Sequence, residues 1–166
     1  MQWDSIRRIG SDDARAFWAH AGASGLDCPF DVFEQLFFDH QSDAEFALLV
    51  QAVDWQSVAW EQTELSGAAL RRVAVPRPYQ RALDEARWRT LELGLQDERP
   101  EVLEHWRAHA TWIRSPILIV GAALGSSLGI ECLVGFTRLG TLLGLLDRED
   151  LPEEAMHPVW LGSLRV

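Results

Sequence analysis

Pro116-Ile117-Leu118-Ile119-Val120, Gly125-Ser126-Ser127-Leu128-Gly129, Ile130-Glu131-Cys132-Leu133-Val134 and Gly135-Phe136-Thr137-Arg138 together decide the fold. Two short apolar runs joined by a stretch rich in Gly and Ser read as a hairpin of buried strands. Immediately afterwards Phe136, Leu139, Leu142, Leu143 and Leu146 take up helical spacing, and Asp147-Arg148-Glu149-Asp150 with Pro152 beyond ends that helix. Val159-Trp160-Leu161 is apolar enough for one more strand. The C-terminal part of the chain is therefore expected to be strand, turn, strand, helix, strand.

Working back from this unit, helices dominate. Ser11 can cap a helix in which Ala14, Phe17, Trp18 and Ala21 recur on one face, with Gly22 and Gly25 ending it. Pro29 can open a second, striped by Val32, Phe33, Leu36 and Phe37, and Asp43 a third reaching Val50. Residues 55–65 alternate like a half-buried strand around Val58 and Trp60, and residues 70–75 suit a second extended piece stopped by Pro76 and Pro78. A long helix is expected over 78–93, with Tyr79, Ala82, Leu83, Ala86 and Thr90 on one side and Gly94 after it. Pro100 opens another, striped by Val102, Leu103, Trp106 and Ala110. The sum is an α+β fold, a helical N-terminal half packed on a small mixed sheet, and with no linker or internal repeat residues 1–166 read as a single domain.

Composition narrows the classes of function. Nearly half of the 166 residues are hydrophobic, so the chain can offset the entropy of ordering itself and is not intrinsically disordered. The formal net charge is −10 and every cation apart from His is an Arg. The densest basic segment, Arg71-Arg72 through Arg77, Arg81, Arg87 and Arg89, is interleaved with Asp84, Glu85 and Glu92, so nucleic-acid binding by this chain alone is not expected. Cys28 and Cys132 lack CxxC spacing, which argues against a disulfide scaffold or thiolate metal site and fits a reducing cytoplasm. The N-terminus has no apolar core of a signal peptide, and the longest apolar run, residues 117–124, is too short to cross a bilayer.

The candidate site is the strand-to-helix turn. Free backbone N–H groups and the positive end of the helix dipole meet an Arg there, so Gly135, Thr137 and Arg138 form a potential phosphate or nucleotide site: Gly135 admits the ligand, Thr137 and Arg138 donate to it. Arg138 is expected to be an exposed side chain at this turn.

Arg114-Ser115-Pro116 before the first strand, with Leu133-Val134-Gly135-Phe136-Thr137-Arg138-Leu139-Gly140 after it, resembles the ParB/sulfiredoxin-like domain family over residues 112–146. In that family an acidic residue, Gly, His, a variable residue and Arg mark the turn, and Arg and the helix start hold nucleotide phosphates. Gly135 and Arg138 match and Thr137 takes the variable place, whereas Val134 replaces the acidic residue and Phe136 the His. The resemblance thus implies a phosphate pocket without the metal ligand and base that hydrolysis needs. No catalytic residue, metal or cofactor is assigned.

Other patterns compete. The net charge also suits an acidic interaction module, such as an inhibitor or immunity protein for a basic partner. Residues 125–129 satisfy GxSxG, with Asp147 or Asp150 and then His157 in hydrolase order, but a serine hydrolase needs a helix straight after the turn. His105 and His109 stand four apart on one expected helix, where Glu101 and Glu104 could add oxygen ligands, and Asp39-His40 with Asp43 is explained by helix ends and caps.

Overall fold

A computed structural model describes residues 13–23, 25–41 and 53–165. The expected cap at Ser11 and the expected helix from Asp43 to Val50 lie outside the described residues. The elements in chain order are α1 (Ala14–Ala23), α2 (Phe30–Val32, continuing as a π-helical stretch Phe33–Phe38), β1 (Val58–Ser66), α3 (Gly67–Leu70), α4 (Arg77–Leu93), α5 (Pro100–His109), β2 (Ile117–Val120), β3 (Ile130–Val134), α6 (Phe136–Asp147) and β4 (Met156–Leu164). The expected α+β architecture and the order of the C-terminal unit are both present.

The four strands form one mixed sheet in the order β1-β4-β2-β3, with β2 parallel to β4 and both other pairs antiparallel. Strand periodicity sends alternate side chains to opposite faces. Val58, Ile117, Ile119 and Leu133 pack against Phe17, Phe33, Leu36 and Phe37 of the N-terminal helices. Leu118, Cys132 and Val159 pack instead against Leu83, Leu139, Leu142 and Leu146 of α4 and α6. Helices therefore cover both faces, which is why the apolar runs of β2 and β3 are continuous rather than alternating.

Two expectations are corrected. Residues 70–75 are not an extended segment: Ser66 caps a one-turn helix, its Oγ accepting from the Ala69 N–H at 3.2 Å, and the chain turns through Arg71 and Arg72. Only Ala74 is extended, bridging to β3 through its N–H to the Ile130 carbonyl and its carbonyl from the Cys132 N–H, both at 2.8 Å. The last strand is nine residues long, three times the apolar core that marks it in the sequence. Pro158 is tolerated because the pairing with β2 begins only at Trp160, and its carbonyl accepts from Trp112 Nε1 at 2.7 Å.

α4 and α6 pack closely because α6 carries two glycines on the shared face. A Cβ on Gly140 would lie 2.4 Å from the Leu83 carbonyl oxygen, and one on Gly144 would lie 2.6 Å from Thr90 Cβ and 2.7 Å from the Arg87 carbonyl oxygen. Ion pairs fasten the far end: Asp147 receives Arg87 Nε at 2.6 Å and Arg71 Nη1 at 2.7 Å. Burial opposes ionisation there, yet the hydrogen bonds from Arg87 and Arg71 hold the Asp147 carboxyl below the usual carboxylate range. Gly144→Ala is expected to cost about 1–3 kcal/mol, since backbone rather than a flexible side-chain tip must retreat, and urea denaturation measures it.

His157 is fully buried on β4, with Nδ1 3.3 Å from Thr111 Oγ1 and Nε2 without a partner among the described residues. Burial disfavours the charged ring and pushes its pKa below the usual value of 6.5. The unfolded chain then binds the proton more readily than the folded one, so the contribution of His157 is full above the unfolded pKa and is lost as pH falls through it. The melting temperature should drop between about pH 7 and pH 5, and the drop over that interval should shrink in His157→Phe.

Candidate functional site

The strand-to-helix turn forms where the sequence places it. β3 ends at Val134, Gly135 takes a left-handed conformation with φ +100°, and α6 begins at Phe136. The glycine is obligatory for two reasons: its φ, and the neighbours a Cβ would meet, Pro116 Cβ at 2.8 Å and the Arg138 guanidinium at 3.0 Å. What Gly135 admits at close range is thus the Arg138 side chain folded back over the turn.

Arg138 is not the exposed residue expected. Its Nη1 donates to the Arg114 carbonyl at 2.7 Å and its Nη2 to Gln35 Oε1 at 2.8 Å. Gln35, only 2% exposed, uses its own Nε2 to reach Asp31 and the Ser115 carbonyl, both at 3.2 Å. Arg114 in turn donates Nε to Asp31 at 2.7 Å and Nη2 to Glu34, while Trp160 Nε1 closes on Asp31 at 2.8 Å. Arg138 therefore locks α2, the approach to β2 and the start of α6 together. Among the described residues no carboxylate hydrogen-bonds to it, and burial lowers its pKa from the ordinary Arg value. A guanidinium has five N–H donors and two are engaged here, so the group keeps both charge and donors to spare.

Arg138 borders a cavity of about 680 Å³. Arg138, Thr137 and Val134 line it from the turn, Ala82, Ala86 and Arg89 from α4, Val102 and Trp106 from α5, and Asp39 and His40 from the end of α2. The volume falls within the range of sites for small organic ligands. Thr137 is exposed, consistent with a hydroxyl that can turn toward a ligand, whereas Thr141 one turn on is buried and reaches Glu98 at 3.4 Å. The two family departures have definite places: Val134 lines the cavity, and the Phe136 ring stacks on Tyr79 with centroids 4.3 Å apart. A phenyl ring has no ionisable proton, so Phe136 supplies neither an acid nor a base at the turn.

The competing patterns are also located. Residues 125–129 run into β3, not a helix, so the pattern serine, Ser127, does not sit at a strand-to-helix turn. Asp147 is committed to Arg71 and Arg87, Asp150 to Arg148, and His157 faces Thr111, so the acid and the base of the hydrolase order are engaged separately. The His105 and His109 rings lie 4.5 Å apart on α5, and among the described residues no group of three or more His, Cys, Asp or Glu is placed to hold a metal. Asp39 and His40 do end α2 as expected, while Asp43 lies outside the described residues. Cys28 and Cys132 are free and buried, and burial pushes both thiols up to about 12. No helix among the described residues is long and apolar enough to cross a membrane.

Sequence reasoning could not find the cavity, because it is assembled from α2, α4, α5 and α6 and its lining residues share no local pattern. Gln35, 103 positions from Arg138, had no signal at all apart from being polar on an otherwise apolar helix stripe. No protein-family model matches this chain, and neither a curated protein nor a solved structure matches it.

Proposed function

We propose that this chain binds a small anion of the phosphate class, a nucleotide among them, in the cavity bordered by Thr137 and Arg138, and that it does so as a ParB/sulfiredoxin-like domain without the hydrolytic residues. One observation carries the reading: a largely enclosed guanidinium, with no direct carboxylate partner among the described residues, borders a ligand-sized cavity at the start of a helix. Such a cation is costly to bury alone and gains most from an incoming anion. The unpaired backbone N–H groups of the first turn of α6 add to the same attraction. Gly135 serves by letting Arg138 fold close to the turn. Binding without turnover follows from Val134 and Phe136.

A second reading, an acidic module for a basic protein, draws on the net charge of −10 and on Trp88, 64% exposed on α4 beside the exposed Asp84, Glu85 and Glu92. It leaves the cavity and the unneutralised Arg138 without a purpose, and for that reason takes second place.

The test is thermal denaturation of the whole chain with inorganic phosphate, AMP and sulfate. Saturating ligand, about one hundred times Kd, should stabilise the wild type by roughly 2.7 kcal/mol. Arg89→Ala should weaken the response several-fold while changing the unliganded fold by less than about 0.5 kcal/mol, because Arg89 is exposed and makes no ion pair among the described residues. Arg138→Ala should remove the response and also destabilise the unliganded protein by about 2 kcal/mol or more, since it orphans the Gln35 amide oxygen and the Arg114 carbonyl. A wild type indifferent to all three anions would refute the proposal.

A further inference from the structure

The walls of the cavity hold more than the anion needs. Opposite the turn, Trp106 and Trp112 are buried to within 5% and 3% exposure and meet edge to face with centroids 6.2 Å apart. Val102 lies beside them, and Ile113 lines the same cavity while 54% exposed. A large apolar side chain left open at the mouth of a cavity is surface that a ligand can cover with gain.

The charges of the lining set a second limit. Four guanidinium groups, of Arg89, Arg99, Arg114 and Arg138, share the cavity with three carboxylates, of Asp39, Glu85 and Glu98. Arg114 already serves Asp31 and Glu34, Arg99 serves Glu101, and Glu85 already holds Arg81. With those pairs set aside Arg89 and Arg138 face Asp39 and Glu98, so the lining has no surplus of positive charge to match a run of phosphates. A polyphosphate tail entering here would bring several negative charges past three carboxylates with nothing to neutralise the remainder.

Resting on the anion-binding reading above, we infer that the occupant is an amphiphilic anion: one phosphate or carboxylate group at Thr137 and Arg138, carried on an apolar, flat body that lies against Trp106 and Ile113. The anionic end fixes orientation through directed hydrogen bonds, and the apolar body supplies affinity by covering wall that water now wets. The ligand therefore has the chemistry of an aryl phosphate or aryl carboxylate, and lengthening the phosphate chain adds nothing.

Isothermal titration of the full chain with inorganic phosphate, tripolyphosphate, 1-naphthyl phosphate and 2-naphthoate tests this, the last two deciding between the phosphate and carboxylate forms of the same group. The naphthyl compound carrying the preferred group should bind about tenfold or more tighter than inorganic phosphate, and tripolyphosphate should bind no tighter than phosphate. Ile113→Ser, a change at an exposed position that the fold tolerates, should weaken naphthyl binding about threefold or more and leave inorganic phosphate unaffected. Phosphate binding with no gain from the naphthyl body, a clear gain from tripolyphosphate, or naphthyl affinity unchanged in Ile113→Ser would overturn this inference while leaving the anion site standing. Failure of every probe to bind would overturn both.

Discussion

The arrangement depends first on Arg114, which works from both ends. Its guanidinium holds Asp31 and Glu34 of α2, and its carbonyl accepts from Arg138 of α6. One residue before β2 therefore ties the N-terminal helices to one face of the sheet and the start of α6 to the other. The Arg114 ion pairs are about one-third exposed, and pairs so open to solvent contribute little stability, about 1 kcal/mol at most each. Their larger effect is positional. Gln35 is buried with both its amide nitrogen and its oxygen engaged, so α2 can dock in one register alone without leaving a buried polar group unsatisfied. With α2 fixed, Asp39 and His40 reach the cavity rim.

The cavity is a consequence of how the other face is packed. Gly140 and Gly144 let α4 approach α6 backbone to backbone, and α4 meets that surface with Leu83, Ala86 and Thr90. Ala82 and Ala86, the small residues that line the cavity from α4, fill little of the space between that helix and α5. Trp106 closes the floor from α5, packed on Trp112. The small side chains that permit a tight helix pair on one side thus leave room for a ligand on the other, and the opening falls beside the positive end of α6 because that helix is one of its walls.

How much of this was legible in the sequence depended on the range of the interaction responsible. The strand-turn-strand-helix order and the span of α6 were legible, since turn residues and leucine spacing are local and act within a few positions. The turn after β1 was misjudged: residues 70–75 have the composition of a strand, but the Ser66 cap one turn earlier commits the chain to a helix first. Pro158 concealed the length of β4, because a proline inside a strand is tolerated only where no neighbour needs its N–H, which is a property of sheet order. Gly135 and Arg138 meet at the turn the sequence marks, yet the partner of Arg138 in α2 comes from a segment far away in the chain. Helical spacing put Trp106 on the buried stripe of α5, and nothing in that spacing told that it would also form a cavity wall.

Net charge and local charge act over different distances, and the contrast constrains what the cavity can hold. At physiological ionic strength charges are screened beyond about 8 Å, so the total of −10 discourages anions at the surface without cancelling a guanidinium in direct contact. An anion reaching Arg138 gains from short, directed hydrogen bonds in a partly desolvated place, but its approach is not accelerated by the field of the protein. A small, fully hydrated anion has little else to gain and loses its hydration on entry. A ligand with an apolar body gains in addition from covering Ile113 and the tryptophan floor, a contribution that neither salt nor the surrounding carboxylates diminish. On the proposed reading, in a chain this acidic, the affinity for an anion is therefore carried largely by the part of the ligand that bears no charge.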